Sequence, residues 1–401
     1  MTTPEILSQL AIETPSKIIL FVIDGLGGLP QEQTGRTELE AASLPTLDRL
    51  AERSVLGLSE PVGLGISPGS GPGHLALFGF DPIETLVGRG ILSALGVGFP
   101  VEASDVAARI NFATVDADGN VADRRAGRIS TELNRELVAK LRQIELPGVE
   151  TFLETESGHR GLVVFRGAEM SDKLSDTDPQ RVGVPPFPAE PLDTSAEASA
   201  RVVNAFIERA REVLRDDHPA NAILLRGFAK HPNLPSFPDL YKIRSAAVAV
   251  YPMYKGLARL VGMEVLETGE TLADEFATVK ANWDRFDFFF IHLKNADSAG
   301  EDGDFRRKTD VLENVDRNLN ALLDLKPDVL VVTGDHSTPS VLQQHSWHPV
   351  PFLLTAKTII PDRIGVFSER ACARGSLGRF PAKNAMALML ASAMKLTKFG
   401  A

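Results

Sequence analysis

This sequence predicts an α/β fold: a mostly parallel sheet with helices on both faces, interrupted by an inserted second domain. Three observations carry the prediction. Short, near-continuous apolar runs end in polar, glycine-containing turns, as expected of strands buried on both faces. They are residues 17–23 before Asp24-Gly25-Leu26-Gly27, 286–293 before a charged loop, 328–333 before Gly334-Asp335-His336, and 351–355. Helical patterns lie between them. Residues 45–53 place proline at a helix start, and residues 308–325 space Val311, Leu312, Val315, Leu319 and Leu322 at helical intervals. Alternation of the two element types implies parallel strands with helical crossovers.

The third observation is the middle of the chain. Between about 100 and 240 the pattern is broken by Pro185, Pro186, Pro188 and Pro191, then by Pro232, Pro235 and Pro238, and residues 171–180 read as a polar loop. Apolar patterning returns at 245–251. The 401 residues exceed one ordinary hydrophobic core. The expected division is a discontinuous core, 1–100 with 241–401, and an inserted α+β cap at 101–240.

Composition narrows the function. A formal net charge of −11 argues against nucleic acid or an anionic membrane as partner, while leaving room for a local basic site that binds a small anion. The single cysteine, Cys372, allows no intramolecular disulfide and reads as packing in a reducing compartment. The first residues carry acids and no apolar run before Ile18, unlike a secretory signal. No stretch reaches the roughly 18 apolar residues of a membrane span. A cytoplasmic location is expected.

Ligands of open α/β sheets gather at the carboxyl ends of the strands. Three predicted strands end there in metal-ligand chemistry: Asp24, Asp297 just beyond its strand, and the pair Asp335-His336. Each acid alone could cap a helix or a turn, but the three termini together favour a metal site. Mixed carboxylate and imidazole donors suit zinc, manganese and related divalent ions. Residues 63–80 form a glycine-dense segment holding one well-placed hydroxyl, Ser70, with His74 four residues on. Read as a loop, it brings backbone amides to an anion and exposes that hydroxyl.

Eight segments, in order along nearly the whole chain, resemble the archaeal-type cofactor-independent phosphoglycerate mutases of the alkaline phosphatase superfamily. They begin at Asp24-Gly25-Leu26-Gly27, at Pro68-Gly69-Ser70 with Gly73-His74-Leu75, at Asn111-Phe112-Ala113-Thr114, and at Asp123-Arg124-Arg125-Ala126-Gly127-Arg128. The others begin at Leu174-Ser175-Asp176-Thr177-Asp178-Pro179, Tyr251-Pro252-Met253-Tyr254-Lys255-Gly256, Thr333-Gly334-Asp335-His336-Ser337-Thr338-Pro339, and His345-Ser346. The resemblance implies an alkaline-phosphatase-like three-layer core with a cap. It implies two divalent ions, one on Asp24, Ser70, Asp335 and His336, the other on Asp297, residue 301 and His345. Ser70 would take the phosphoryl group while 3-phosphoglycerate and 2-phosphoglycerate interconvert, without a bisphosphate cofactor. Asp123, Arg124, Arg125, Arg128, Arg160, Arg226 and Lys255 are the candidate substrate contacts, because a guanidinium pairs bidentately with carboxylate and phosphate. Lys255 is expected on the core side.

Two segments depart from the family pattern. Its nucleophile segment reads Arg-Pro-Gly-Ser-Asp-Thr; here it is Ser67-Pro68-Gly69-Ser70-Gly71-Pro72. Where the second ion group carries Asp-x-x-x-His, this chain has Asp297 and Glu301. A carboxylate at 301 is a harder donor than imidazole and inclines that site to manganese or magnesium over zinc. A phosphatase, or a phosphotransferase of the homoserine-kinase-like branch, is the alternative reading on the same fold.

Overall fold

The computed structural model describes residues 4–400. It divides into two compact units. The first comprises Met1–Leu86, Pro235–Tyr251 and Leu257–Ala401; the second comprises Val87–Leu234 and Pro252–Gly256.

The first unit is built on an eight-stranded sheet. From one edge its order is Gly378–Pro381, Val55–Glu60, Val350–Ala356, Val329–Thr333, Ile18–Ile23, Phe288–Leu293, Ser245–Ala249 and Glu264–Val265. All pairings are parallel except the two made by Val350–Ala356. The α/β class with a mostly parallel sheet is therefore the one found. The strand read from residues 351–355 corrects the pattern locally. No helix lies between Thr333 and Val350, so the chain returns antiparallel to the strand it has just left. Ile18–Ile23, at the centre, is buried at all six positions, which accounts for its unbroken apolar run. Its side chains pack against Phe289, Ile291, Leu330 and Val332, and against helical Leu47, Leu50, Phe276, Leu312 and Val315. The helix read at 308–325 is two helices, Phe305–Asn318 and Asn320–Leu323. Cys372 is fully buried in this core, at the end of the short helix Glu369–Cys372.

The second unit has a five-stranded antiparallel sheet. Its long strand Val106–Val115 pairs with Arg160–Arg166, Ala222–Ala229 and Val121–Asp123, and Glu150–Ser157 completes the sheet. Helices Thr131–Leu141 and Glu197–Leu214 supply Leu137, Val138, Val203 and Phe206 to its core. Polar residues 171–180 are loop, as expected.

The unit limits differ from 101–240. Helix Arg89–Gly96 belongs with the second unit, because Gly90 lies against the backbone of Ala107; a Cβ there would stand 2.1 Å from the Ala107 carbonyl oxygen. The first turn of helix Pro252–Leu260 belongs there too, where a Cβ on Gly256 would stand 2.3 Å from the Leu92 carbonyl. The chain thus passes between units at four places, 86/87, 234/235, 251/252 and 256/257, rather than the two a simple insertion needs.

Candidate active site

Three neighbouring strands of the first unit end at one place. Ile18–Ile23 delivers Asp24, which is fully buried, with its N–H donating to the Leu293 carbonyl. Phe288–Leu293 delivers Lys294 and the helix Asn295–Glu301, which carries Asp297 and Glu301. Val329–Thr333 delivers Asp335 and His336, and His345 follows on the loop. A strand's carboxyl end supplies fixed positions, and the buried Asp24, Asp297, Asp335 and His336 take them.

Ser70 corrects the loop reading of residues 63–80. Residues Ser70–Leu77 are a helix with Gly69 as N-cap, and Ser70 opens it at 8% exposure. The hydroxyl therefore sits in a helix's first turn, mostly buried, not at an exposed loop apex. Glycine density here serves close packing: a Cβ on Gly73 would stand 2.3 Å from the Asp335 carbonyl oxygen. His74 Nδ1 donates to the Ser70 carbonyl at 2.8 Å, so it helps to hold the turn.

Two groups of potential ion ligands result among the described residues, each with ligand atoms within 4.8 Å of one another: Asp24, Asp335 and His336, and Asp297, His336 and His345. In the first, His336 Nε2 lies 3.2 Å from Asp24 Oδ1, 3.2 Å from Asp335 Oδ2 and 3.1 Å from Ser70 Oγ. In the second, His345 Nε2 lies 3.4 Å from Asp297 Oδ1 and 3.8 Å from Glu301 Oε1. Glu301 is not drawn into either group, and its side chain is 53% exposed. His345 Nδ1 donates to the Pro68 carbonyl at 2.9 Å, which leaves Nε2 as the ring's donor atom.

The residues fit divalent ions. Asp335 Oδ2 is buried and has no well-formed hydrogen bond, with His74 Nδ1 and His336 Nε2 each 3.2 Å away. The fully buried carboxylates of Asp24 and Asp335 converge on His336 Nε2 at 3.2 Å each, a set of donors that a divalent cation would satisfy. Oxygen and nitrogen donors around a hydroxyl match manganese, magnesium or zinc.

Two residues beside these groups escaped the sequence reading. Lys294 Nζ lies 3.1 Å from Asp24 Oδ2 and 2.5 Å from Asp297 Oδ2, joining the outer oxygens of both groups. His292 Nε2 lies 3.2 Å from Asp24 Oδ2. The available signal was a lone histidine and a lysine at the end of a strand made otherwise of Phe, Ile and Leu. Burial raises the Asp24 carboxyl, but Lys294, then His292 and His336, outweigh it and hold it well below the usual range. Burial lowers His336, and Asp335 and Asp24 reverse this, taking it to about 9. His292 is pushed down to about 4, chiefly by burial.

The candidate substrate residues all lie in the second unit. Lys255 is among them, in the helix turn seated on Leu92, which corrects its expected place on the core. Asp123 organises a turn: its carboxylate accepts from the Arg125 and Gly127 N–H groups at 2.8 and 2.6 Å. That turn places Ala126, Gly127 and Arg128 successively at φ 46°, 64° and 56°. Two non-glycine residues in the left-handed region are held by those bonds. Arg125 and Arg128 are exposed on it. Arg124 is bidentate to Asp178 at 2.8 and 2.7 Å, and Arg226 also pairs with Asp178, at 3.4 Å. Arg160 is half-buried. His159, beside it, was also missed. Burial, then Arg160, Arg125 and Arg128, push it down to about 4.

Carboxylate and imidazole groups at parallel strand ends, one of them around a serine, define a candidate two-ion phosphotransfer centre on an α/β scaffold. Comparison with known proteins gives the family. Residues 51–221 match the family described as 2,3-bisphosphoglycerate-independent phosphoglycerate mutase. A Thermus thermophilus protein named probable 2,3-bisphosphoglycerate-independent phosphoglycerate mutase is 53% identical over 401 residues, covering 99% of both chains. An Aquifex aeolicus protein of the same name is 48% identical over 407 residues, covering 99% of this chain and 100% of its own. Among solved structures, the PH0037 protein of Pyrococcus horikoshii aligns with TM-score 0.85 at 29% identity, over 97% of this chain and 100% of that one. A cofactor-independent phosphoglycerate mutase from Thermoplasma acidophilum aligns with TM-score 0.71 at 32% identity, over 94% and 100%. The chain belongs to the 2,3-bisphosphoglycerate-independent phosphoglycerate mutase family.

Proposed function

We propose that this protein interconverts 3-phosphoglycerate and 2-phosphoglycerate without a bisphosphate cofactor, through a phosphoserine at Ser70. The supporting observation is chain-long family membership together with a buried serine Oγ 3.1 Å from His336 Nε2, among Asp24 and Asp335. Asp24, Asp335 and His336 with Ser70 would hold one divalent ion, and Asp297, His345 and Glu301 the other, manganese or magnesium before zinc. Bound there, such ions neutralise a phosphoryl group and favour the alkoxide of a nearby hydroxyl. Ser70 Oγ gives up its proton and forms a bond to phosphorus as the substrate's ester oxygen leaves and takes up a proton. The neighbouring hydroxyl of the glycerate then attacks phosphorus and loses its proton, and the Ser70 Oγ–P bond breaks as Oγ is protonated again. Net change is the position of one phosphoryl group. Water must be kept from the phosphoserine throughout.

The second unit is the substrate-binding cap in this reading. Arg125, Arg128 and Arg160 would recognise the carboxylate and phosphate. Arg124 and Arg226 shape that surface through Asp178. No helix among the described residues is long and apolar enough to cross a membrane, and we place the enzyme in the cytoplasm. The test is phosphorus NMR of the metal-loaded protein with 3-phosphoglycerate and no bisphosphoglycerate. Appearance of 2-phosphoglycerate without inorganic phosphate is expected. Phosphate release alone would replace the mutase by a phosphatase.

A further inference from the structure

His336 is within reach of both ion groups. Its Nε2 faces Asp24 and Asp335 at 3.2 Å each, and its Nδ1 is 4.0 Å from Asp297 Oδ1. An imidazole ligates through a ring nitrogen that carries no proton. The group it serves is therefore decided by where its proton sits. Thr338 fixes this by valence. Its Oγ1 lies 2.6 Å from Asp297 Oδ1 and 3.0 Å from His336 Nδ1. A hydroxyl has one proton, and an ionised carboxylate only accepts. The proton goes to Asp297, so the contact to His336 is made by an Nδ1–H donating to the threonine oxygen. Only Nε2 remains for an ion.

We propose that Thr338 is the positioning residue that assigns His336 to the Asp24–Asp335 group and couples the two ion groups through the chain Asp297–Thr338–His336. The inference rests on the two-ion reading above. It has a consequence for the second group. With Nδ1 protonated, His336 does not serve that group, which keeps Asp297 and His345 and needs another donor. Glu301, with Oε1 3.8 Å from His345 Nε2, is the carboxylate at hand.

The threonine is held where this requires. Its N–H donates to the Gly27 carbonyl at 3.1 Å, and the fully buried Lys308 ammonium donates to the Thr338 and Gly27 carbonyls at 2.8 and 3.0 Å. Gly25, at φ 67°, makes room: a Cβ there would stand 2.7 Å from Thr338 Oγ1 and 2.9 Å from Asp297 Cβ. Lys308 was legible only as part of a helix, and Thr338 only as part of a motif.

The test compares Thr338→Val, which keeps the shape and removes the hydroxyl, with Thr338→Ser, which restores it. Manganese binding to the chelator-stripped full chain is measured by calorimetry. Loss of such an orienting partner weakens metal binding by about 10–100-fold, so that loss is expected of Thr338→Val, with Thr338→Ser close to the parent. An unchanged thermal midpoint of stripped Thr338→Val would show that the fold is not the cause. Equal manganese affinity in Thr338→Val and parent overturns the proposal. Should the valine variant fail to fold, imidazole nitrogen NMR of the magnesium-loaded parent decides: a proton on Nδ1 of His336 is expected, and a proton on Nε2 overturns it. A parent that binds no ion at all would instead remove the two-ion reading.

Discussion

The two ion groups differ in exposure, and the difference separates what is fixed from what is adjustable. Asp24, Asp335 and His336 have no exposed side-chain surface, and Ser70 beside them is mostly buried. In the other group Asp297 and the shared His336 are buried, but the side chain of His345 is 24% exposed, and that of Glu301, outside the group and 3.8 Å from His345, is 53% exposed. Charges enclosed away from water interact strongly and are set by the sheet, whereas partly solvated ones are screened and free to rearrange. Under the proposed two-ion reading, the buried group is the preorganised activating site and the open one the exchangeable site.

Removing the proposed nucleophile should have the largest effect. Ser70→Ala is expected to lower turnover on the order of 10⁴-fold or more. Mass spectrometry of quenched parent should find one phosphoryl group on Ser70, and the alanine variant none. Substantial mutase activity in Ser70→Ala would end the assignment. The comparison of the groups is broken or kept by Asp335→Asn against Glu301→Ala. Manganese titration should show Asp335→Asn weakening binding at the buried group by more than the about 10–100-fold that loss of a ligand's outer partner costs, and Glu301→Ala weakening only the open group, by less. Equal losses in both would mean that the groups are not distinct in strength.

Smaller effects belong to the second unit. Arg128→Ala should raise KM about 10-fold, as for one charge-assisted hydrogen bond, with manganese affinity unchanged. Lost metal affinity with unchanged KM would remove Arg128 from substrate binding. The smallest effect is on pH. His159 is held neutral, at about 4 against an ordinary 6.5, first by burial and then by Arg160, Arg125 and Arg128, with Asp123 opposing. Between those values the unfolded chain binds more protons than the folded one, so stability falls as pH falls through that window. Thermal midpoints of His159→Gln should decline less steeply between about pH 6.5 and 4 than those of the parent. Parallel declines would show that His159 does not titrate there.

What the sequence revealed follows from where burial writes a pattern. The central strand is enclosed on both faces, so every residue from Ile18 to Ile23 had to be apolar, and the acid at its end stood out. The direction of Val350–Ala356 had no such trace, because buried parallel and antiparallel strands share a composition. Residues 63–80 misled because glycine marks both flexible loops and tight contacts; only the backbone of Asp335 against Gly73 separates the two. Asp24 and His336 were readable as a type of residue at a type of place. Lys294 and Thr338 were not, since a lysine after a strand and a threonine in a turn are commonplace until their partners are known. Likewise, nothing local marked Asp178 as the shared partner of Arg124 and Arg226.

The contact at Gly73 sets a length. Ser70 lies one turn away on the same helix, and that helix rests on a carbonyl of the very loop that carries Asp335 and His336. A side chain in the way could swing aside; a peptide group is tied to the sheet behind it. The gap between the Ser70 oxygen and the groups around it is thus gauged by main chain touching main chain, at a residue with no chemistry of its own. One methyl group at position 73 would act as a shim, leaving every reactive atom in the protein and altering only how far apart they stand.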